Sequence, residues 1–334
     1  MKVTWEDQVN PHDDFKKTKV EWVGPNQQKV LKLERQLQES SSNTFHNSLN
    51  SLKYQAEQES EPNCDIPSAR PILPVIRAQS PNLQQKPIPA NFFWGDKDGT
   101  NYLSWTVNQH LPQYCGSCWA QAAVSSLADR INLHIHDNRR RTILSVQALV
   151  NCQAGGTCKG GDKAMVYEFA HRHGIPEFQC RHYDALDPDS ADCEPIQQCM
   201  ICKWVGDHIN TCNAIPYNHW YVSEFGPVSG TKAIQKEVFE RGPVACSMQV
   251  TPEFRKYKGG VYSEKIPNLK TNHVVSITGF GTDKATGKGY WIVRNSWGSQ
   301  FGENGYFRLP MGQNEDNLGI ETSCWWAMPS LTKS

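Results

Sequence analysis

In the stretch Gln113-Tyr114-Cys115-Gly116-Ser117-Cys118-Trp119, Cys118 stands where an Ala-rich helical pattern begins. The positive end of a helix dipole and its unpaired N–H groups favour a thiolate at such a place. A nucleophilic thiolate also needs a proton acceptor. His273 opens an apolar strand pattern, and Asn295 follows the strand Tyr290-Trp291-Ile292-Val293-Arg294. A Cys–His pair with an amide that orients the imidazole is a complete nucleophilic set. Gln109, upstream, can donate its side-chain N–H to an oxyanion together with the backbone N–H of Cys118. Losing one such donor lowers a rate by about 10²–10³. The chemistry expected is acyl transfer through a thiol acyl-enzyme.

Each residue also has a plainer reading. A single cysteine is more often structural than catalytic, and a lone strand histidine is usually a satisfied core group. Cys115 and Cys118 form a C-x-x-C pair, the spacing of a thiol–disulfide oxidoreductase. That reading lacks the surrounding βαβ pattern and gives His273 and Asn295 no task. Cys199-Met200-Ile201-Cys202 has zinc-like spacing, but a site would need two more free ligands nearby, so no metal is expected. No cofactor is expected either.

Several elements must hold these residues. After Cys118, the residues Ala120, Val124, Leu127, Ala128 and Ile131 recur at intervals of three and four, which gives an amphipathic helix. A second helix starts from Ser145 as N-cap and turns Val146, Leu149 and Val150 inward; a third runs from about Asp162 to His171 and stops before Gly174. Thr231 is placed to cap a helix through Ile234 and Val238 that ends at Gly242-Pro243. Strands are expected over 244–250, 273–280 and 289–294, with Gly-rich turns at 279–281 and 287–289. The fold class is α+β. A mainly helical domain over 87–213 would carry Cys118, and a mainly β domain over 214–334 would carry His273 and Asn295, with a cleft between them.

Residues 1–86 differ from the rest, being rich in Gln, Glu, Ser, Asn and Lys, with Cys64 as their single cysteine. Val30, Leu33 and Leu37 have helical spacing; otherwise the segment cannot bury enough apolar surface to order itself, and it reads as a disordered extension or a propeptide. The whole chain has 334 residues, with 34 basic and 34 acidic side chains, so charge gives no reason to expect nucleic acid or an anionic membrane as partner. No run approaches the ~18 apolar residues of a membrane span. Twelve cysteines favour an oxidising compartment with disulfides, although the first thirty residues hold no apolar stretch that could serve as a signal peptide.

The string Cys115-Gly116-Ser117-Cys118-Trp119 with His273 and Asn295-Ser296-Trp297-Gly298 far downstream is specific in combination. From about residue 88 to 328 the chain resembles the papain-like cysteine peptidases, and within them the cathepsin X (cathepsin Z) subfamily. Further matching pieces are Leu144-Ser145-Val146-Gln147 with Cys152, Cys158-Lys159-Gly160-Gly161, His171 through Pro176, Asn272-His273-Val274-Val275 and Arg294-Asn295. The subfamily mark is Asn108-Gln109-His110-Leu111-Pro112-Gln113-Tyr114-Cys115, which sets Gln109 three residues further from the nucleophile than in ordinary papain-like enzymes. That insertion resembles a mini-loop that partly closes the leaving-group side of the cleft.

The resemblance implies a helical left domain, a β-barrel-like right domain and a lysosomal-type carboxypeptidase made as a latent proenzyme. Catalytic roles fall to Cys118, His273, Asn295 and Gln109. His110 and Tyr114 would bind the free carboxylate of the substrate's last residue, an interaction worth about 1.5–3 kcal/mol, while Gly160, Gly161 and Trp297 would line the substrate path. An ordinary papain-like endopeptidase is the alternative, and a catalytically silent binding protein on the same scaffold a remote one. Implied partners are peptides or proteins with a free C-terminus and cystatin-type inhibitors, with no nucleic acid, no membrane span and a monomer as default. The location implied is a lysosome or vacuole, or secretion. Leu111, Gln121 and Phe301 depart from the family pattern, which usually has Ile, His and Trp there. The resemblance pairs Cys115–Cys158, Cys152–Cys193, Cys180–Cys212, Cys199–Cys202 and Cys246–Cys324. It also leaves Cys64 to bond Cys118 in the zymogen.

Overall fold

Local sequence signals account for most helix boundaries in this computed structural model, which describes residues 63–76, 87–135, 141–188, 193–205, 208–312 and 316–330. The helices are α1 (Cys118–Ile135), α2 (Val146–Asn151), α3 (Lys163–Arg172), the single turn α4 (Pro195–Gln198) and α5 (Thr231–Arg241). Ser145 caps α2 by accepting from the Ala148 N–H at 3.1 Å, and Asp162 caps α3 by accepting from the Ala164 N–H at 2.8 Å. The cap of α5 falls one residue before the expected Thr231. Gly230 takes that place at φ 79°, because the Thr231 hydroxyl is engaged with Glu321 Oε2 at 2.6 Å. The helical spacing at Val30, Leu33 and Leu37 lies outside the described residues.

Twelve strands follow in chain order: β1 (Phe92–Phe93), β2 (Gly156–Thr157), β3 (Gly160–Gly161), β4 (Ile175–Pro176), β5 (Met200–Val205) and β6 (His208–Ala214), then β7 (His219–Val228), β8 (Val244–Met248), β9 (His273–Thr282), β10 (Gly289–Arg294), β11 (Tyr306–Pro310) and β12 (Cys324–Ser330). Eight form one antiparallel sheet in the order β11-β10-β9-β8-β12-β7-β4, with β1 beside the far end of β9. Residues 279–281, expected as a turn, lie inside β9. A Cβ on Gly279 would collide with Phe92 O and Phe93 Cα, so the glycine serves the close approach of β1 rather than a reversal. The turn at Gly287 is present, at φ 69°.

Two apolar cores flank the sheet. The first joins α1, α2 and α3 through Trp119, Leu127, Leu149 and Tyr167 to Val222, Phe225, Val274 and Ala327 of the strands. The second gathers Phe254, Phe280, Trp291 and Phe307 with Ile234 and Val238 of α5, and also takes Trp94 and Leu103. Both cores therefore draw residues from each side of the division at 213/214, which runs through the chain rather than between the cores. This arrangement is an α+β fold with helices and an antiparallel sheet. No pairing between β11 and β4 closes the sheet among the described strands.

The cysteine-rich insertion corrects two expected disulfides. Cys180 bonds Cys199, not Cys212, and Cys202 bonds Cys212, not Cys199. Cys202 and Cys212 are register partners across the β5–β6 hairpin, with Cα atoms 3.9 Å apart. Cys199 and Cys202 are separated by three residues of extended chain, roughly 10 Å, beyond the reach of a disulfide. Cys115–Cys158, Cys152–Cys193, Cys246–Cys324 and Cys64–Cys118 are present as expected.

Candidate active site

Cys118 is the first residue of α1 and is fully buried, so its sulfur lies at the positive end of an 18-residue helix. Its approach is fixed on both flanks. Cys115 is bonded to Cys158, the Gly116 N–H donates to Cys158 O at 2.7 Å, and Ser117 Oγ lies 2.6 Å from Tyr183 Oη. Trp119 donates its indole N–H to Thr157 O at 3.1 Å. A side chain on Gly116 would collide with Cys158 O at 2.8 Å, which explains the glycine in the Cys-Gly-Ser-Cys string.

His273 is the first residue of β9 and pairs in register with Met248 of β8. Its Nε2 lies 2.8 Å from Asn295 Oδ1, and its Nδ1 lies 3.5 Å from Cys64 Sγ, the sulfur bonded to Cys118. Burial pushes the imidazole down to about 4, against the opposing influence of the Asn295 hydrogen bond and the Asp65 charge. Asn295 is held by its own N–H donating to Gly305 O at 2.9 Å. Trp297 packs over the imidazole with ring centroids 4.9 Å apart and is itself braced edge-on by Phe301. The aromatic wall thus stays intact with a phenylalanine at 301.

Gln109 is oriented by Ser296, a residue not singled out from the sequence. The Ser296 hydroxyl donates to Gln109 Oε1 at 2.6 Å, and the Gln109 N–H donates to Ser296 O at 2.8 Å. With its oxygen engaged, the amide turns its NH₂ toward the Cys115 carbonyl, 3.1 Å away, beside the start of α1. Its second N–H remains for another acceptor.

The loop 110–114 places His110 and Tyr114 ring on ring, 4.8 Å apart and 9° from parallel, around a cis Leu111–Pro112 bond. His110 is buried, and that burial, with the charges of His273 and Arg255, pushes it down to about 3. Arg255 is therefore a cation bearing on both histidines. No motif pointed to it in the sequence.

Gly160 and Gly161 form the short strand β3, and the segment around Cys64 pairs with it. The Gly161 N–H donates to Cys64 O at 3.2 Å, and the Ile66 N–H donates to Gly161 O at 2.9 Å. Downstream, the Ser68 N–H donates to Asp162 Oδ2 at 2.7 Å, Arg70 pairs with Glu168, and Val75 bridges to Phe225. Residues 64–75 therefore run from Cys118 across β3 and α3 to β7. The structure thus brings together Cys118, His273, Asn295, Gln109 and Trp297, with β3 alongside. Cysteines 199 and 202, of zinc-like spacing, are in separate disulfides.

This geometry agrees with known proteins. Residues 88–328 match the sequence model of the papain family cysteine proteases. The chain belongs to that family.

Among its relatives, a cathepsin Z from Onchocerca volvulus is 38% identical over 256 residues, covering 75% of this chain and 81% of that protein. A cathepsin B-like cysteine proteinase 6 from Caenorhabditis elegans is 32% identical over 237 residues, covering 65% and 61%. The solved structure of proCathepsin B S9 from Trypanosoma congolense superposes with a TM-score of 0.63 at 21% identity, over 87% of this chain and 99% of that one. The papain family fold and its cysteine peptidase chemistry thus apply to this protein.

Proposed function

We propose that this protein is a cysteine carboxypeptidase that removes single residues from the C-terminus of peptides and proteins and is made as a latent proenzyme. The observation that carries the reading is His110, buried against Tyr114 on the loop between Gln109 and Cys118, close enough for its charge to bear on His273. A loop wall there leaves room for about one residue beyond the scissile bond. The free carboxylate of that residue would meet His110 and Tyr114.

The residues divide the work as follows. With Cys118 released as a thiol, His273 takes its proton, and the thiolate attacks the carbonyl of the last peptide bond. The oxyanion receives the Gln109 side-chain N–H and the Cys118 backbone N–H. His273, oriented by Asn295 and covered by Trp297, gives its proton to the departing amine as the C–N bond breaks. Water, deprotonated by His273, then hydrolyses the thioester and regenerates Cys118.

Latency follows from residues 64–75. Cys64 occupies the sulfur that must attack, and its own carbonyl and the Ile66 N–H take both hydrogen-bonding groups of Gly161, which would otherwise bind substrate backbone. Reduction of Cys64–Cys118 and removal of this segment would free the cleft beside Cys118, His273 and β3. Six disulfides suit an oxidising, acidic proteolytic setting, such as a lysosome or vacuole or the cell exterior. Among the described residues no helix is long and apolar enough to cross a membrane. Cystatin-type inhibitors would compete for the same cleft, and a monomer suffices for it.

The test uses reduced, processed protein and one peptide made as a free acid and as an amide, with products followed by mass spectrometry. Stepwise loss of single residues from the acid alone is expected, and His110→Ala should weaken it by about tenfold or more. Internal cleavage of both forms would make the enzyme an endopeptidase instead.

A further inference from the structure

Lys163, the first residue of α3, is only 4% exposed. Its ammonium donates to Ser247 Oγ on β8 at 2.6 Å and stands 3.8 Å from Asp65 Oδ1. Asp65 is 2% exposed, and its Oδ2 accepts no hydrogen bond from the described residues. The carboxylate is therefore held by the charge of Lys163 rather than by a shaped set of donors. Helix electrostatics disfavour a cation at this position, since the first turn already carries the positive end of the dipole. Burial of an ammonium adds a desolvation penalty unless an anion accompanies it. A carboxylate offsets both penalties, and the latent chain supplies one.

The place of that carboxylate matters. Asp65 follows Cys64, whose sulfur is bonded to Cys118, and its flanking backbone groups pair with Gly161, two residues before Lys163. Ser247 adjoins Met248, the register partner of His273. Lys163 thus faces the part of the cleft one residue away from the nucleophile. Once residues 64–75 leave, the ammonium keeps Ser247 and loses its anion.

We infer that Lys163 is a specificity-determining residue that receives a substrate Asp or Glu carboxylate on the acyl side of the scissile bond, where Asp65 sits in the latent chain. The inference rests on the cysteine peptidase reading and on residues 64–75 lying in the substrate's place. The acyl side is assigned because the His110 loop takes the other.

Processed protein is given peptides carrying Asp, or the isosteric Asn, at each position from the second to the fourth from the C-terminus, every peptide made as acid and as amide. Rates are normalised to the thiol titrated by an epoxide inhibitor. At one acyl-side position Asp should exceed Asn by about ten- to hundredfold in kcat/KM, and Lys163→Met should bring that ratio close to one. Equal rates for Asp and Asn at every position in the unaltered enzyme overturn the inference, whether or not the variant folds. A preference that survives in Lys163→Met overturns it too. Which bond is cut, in acid and in amide, reports separately on the carboxypeptidase reading, and the Asp-to-Asn ratio can be read from either kind of cleavage.

Discussion

Ser296 illustrates how the orientation of Gln109, the proposed oxyanion donor, depends on a neighbour that has no chemistry of its own. Gln109 can present either end of its amide, and the Ser296 hydroxyl on Oε1, with the Cys115 carbonyl accepting from Nε2, fixes which end turns toward the start of α1. Ser296→Ala should lower kcat by about tenfold with little change in KM, whereas Gln109→Ala should lower it by about 10²–10³. Steady-state kinetics on a free-acid peptide checks both, and a Ser296→Ala enzyme with unchanged kcat would remove the serine from this role. The grouping of Cys118, His273 and Asn295 was legible in the sequence because each sits at an element boundary that its own residues announce. Ser296, Asp65 and Lys163 were not. Their roles come from contacts across 187, 98 and 84 positions of chain respectively, Ser296 to Gln109, Asp65 to Lys163, and Lys163 to Ser247.

At the scale of elements, the site depends on how α1 is fastened to β10. Arg294, the last residue of β10, pairs with Asp129 of α1 at 2.5 Å, and Asp129 Oδ1 also accepts from the Ser104 N–H and hydroxyl at 2.6 and 2.8 Å. Asn295 follows Arg294 directly, so this buried cluster sets the distance between the helix bearing Cys118 and the end of the strand that orients His273. Removing one partner of a buried pair leaves the other charge uncompensated, at about 3–5 kcal/mol. Asp129→Ala is expected to lose that much stability in denaturant unfolding and to lose activity with it; a loss under 1 kcal/mol would contradict the fastening. Caps and periodicity made α1, α2 and α3 readable. The pairing of Cys180, Cys199, Cys202 and Cys212 was not, because four cysteines permit three connectivities and only the register of the β5–β6 hairpin selects one. In β9, glycines that look like a turn instead admit β1 and Tyr290 at close range.

Across the whole molecule, burial of two histidines links stability to pH. With His273 down to about 4 and His110 down to about 3, the unfolded chain, whose histidines titrate near 6.5, binds protons that the folded chain refuses. Unfolding therefore takes up protons, and stability of the unreduced, full chain rises with pH between about 4 and 6.5 and is lost as pH falls through that window. The Tm of the unprocessed protein should drop by several degrees from pH 6.5 to pH 4, and His110→Asn should flatten part of that slope. A slope unchanged by the variant would show that other groups dominate. Acidification would then loosen the same form that the Cys64–Cys118 bond holds shut.

That bond decides whether Cys118 of the unprocessed chain can react. Peptide mapping of the unreduced, unprocessed chain by mass spectrometry, with a thiol-directed epoxide added before and after mild reduction, reads it in one experiment. A Cys64–Cys118 cross-linked peptide is expected, with no epoxide on Cys118 until reductant is present. A free Cys64, or Cys118 labelled without reduction, would contradict it.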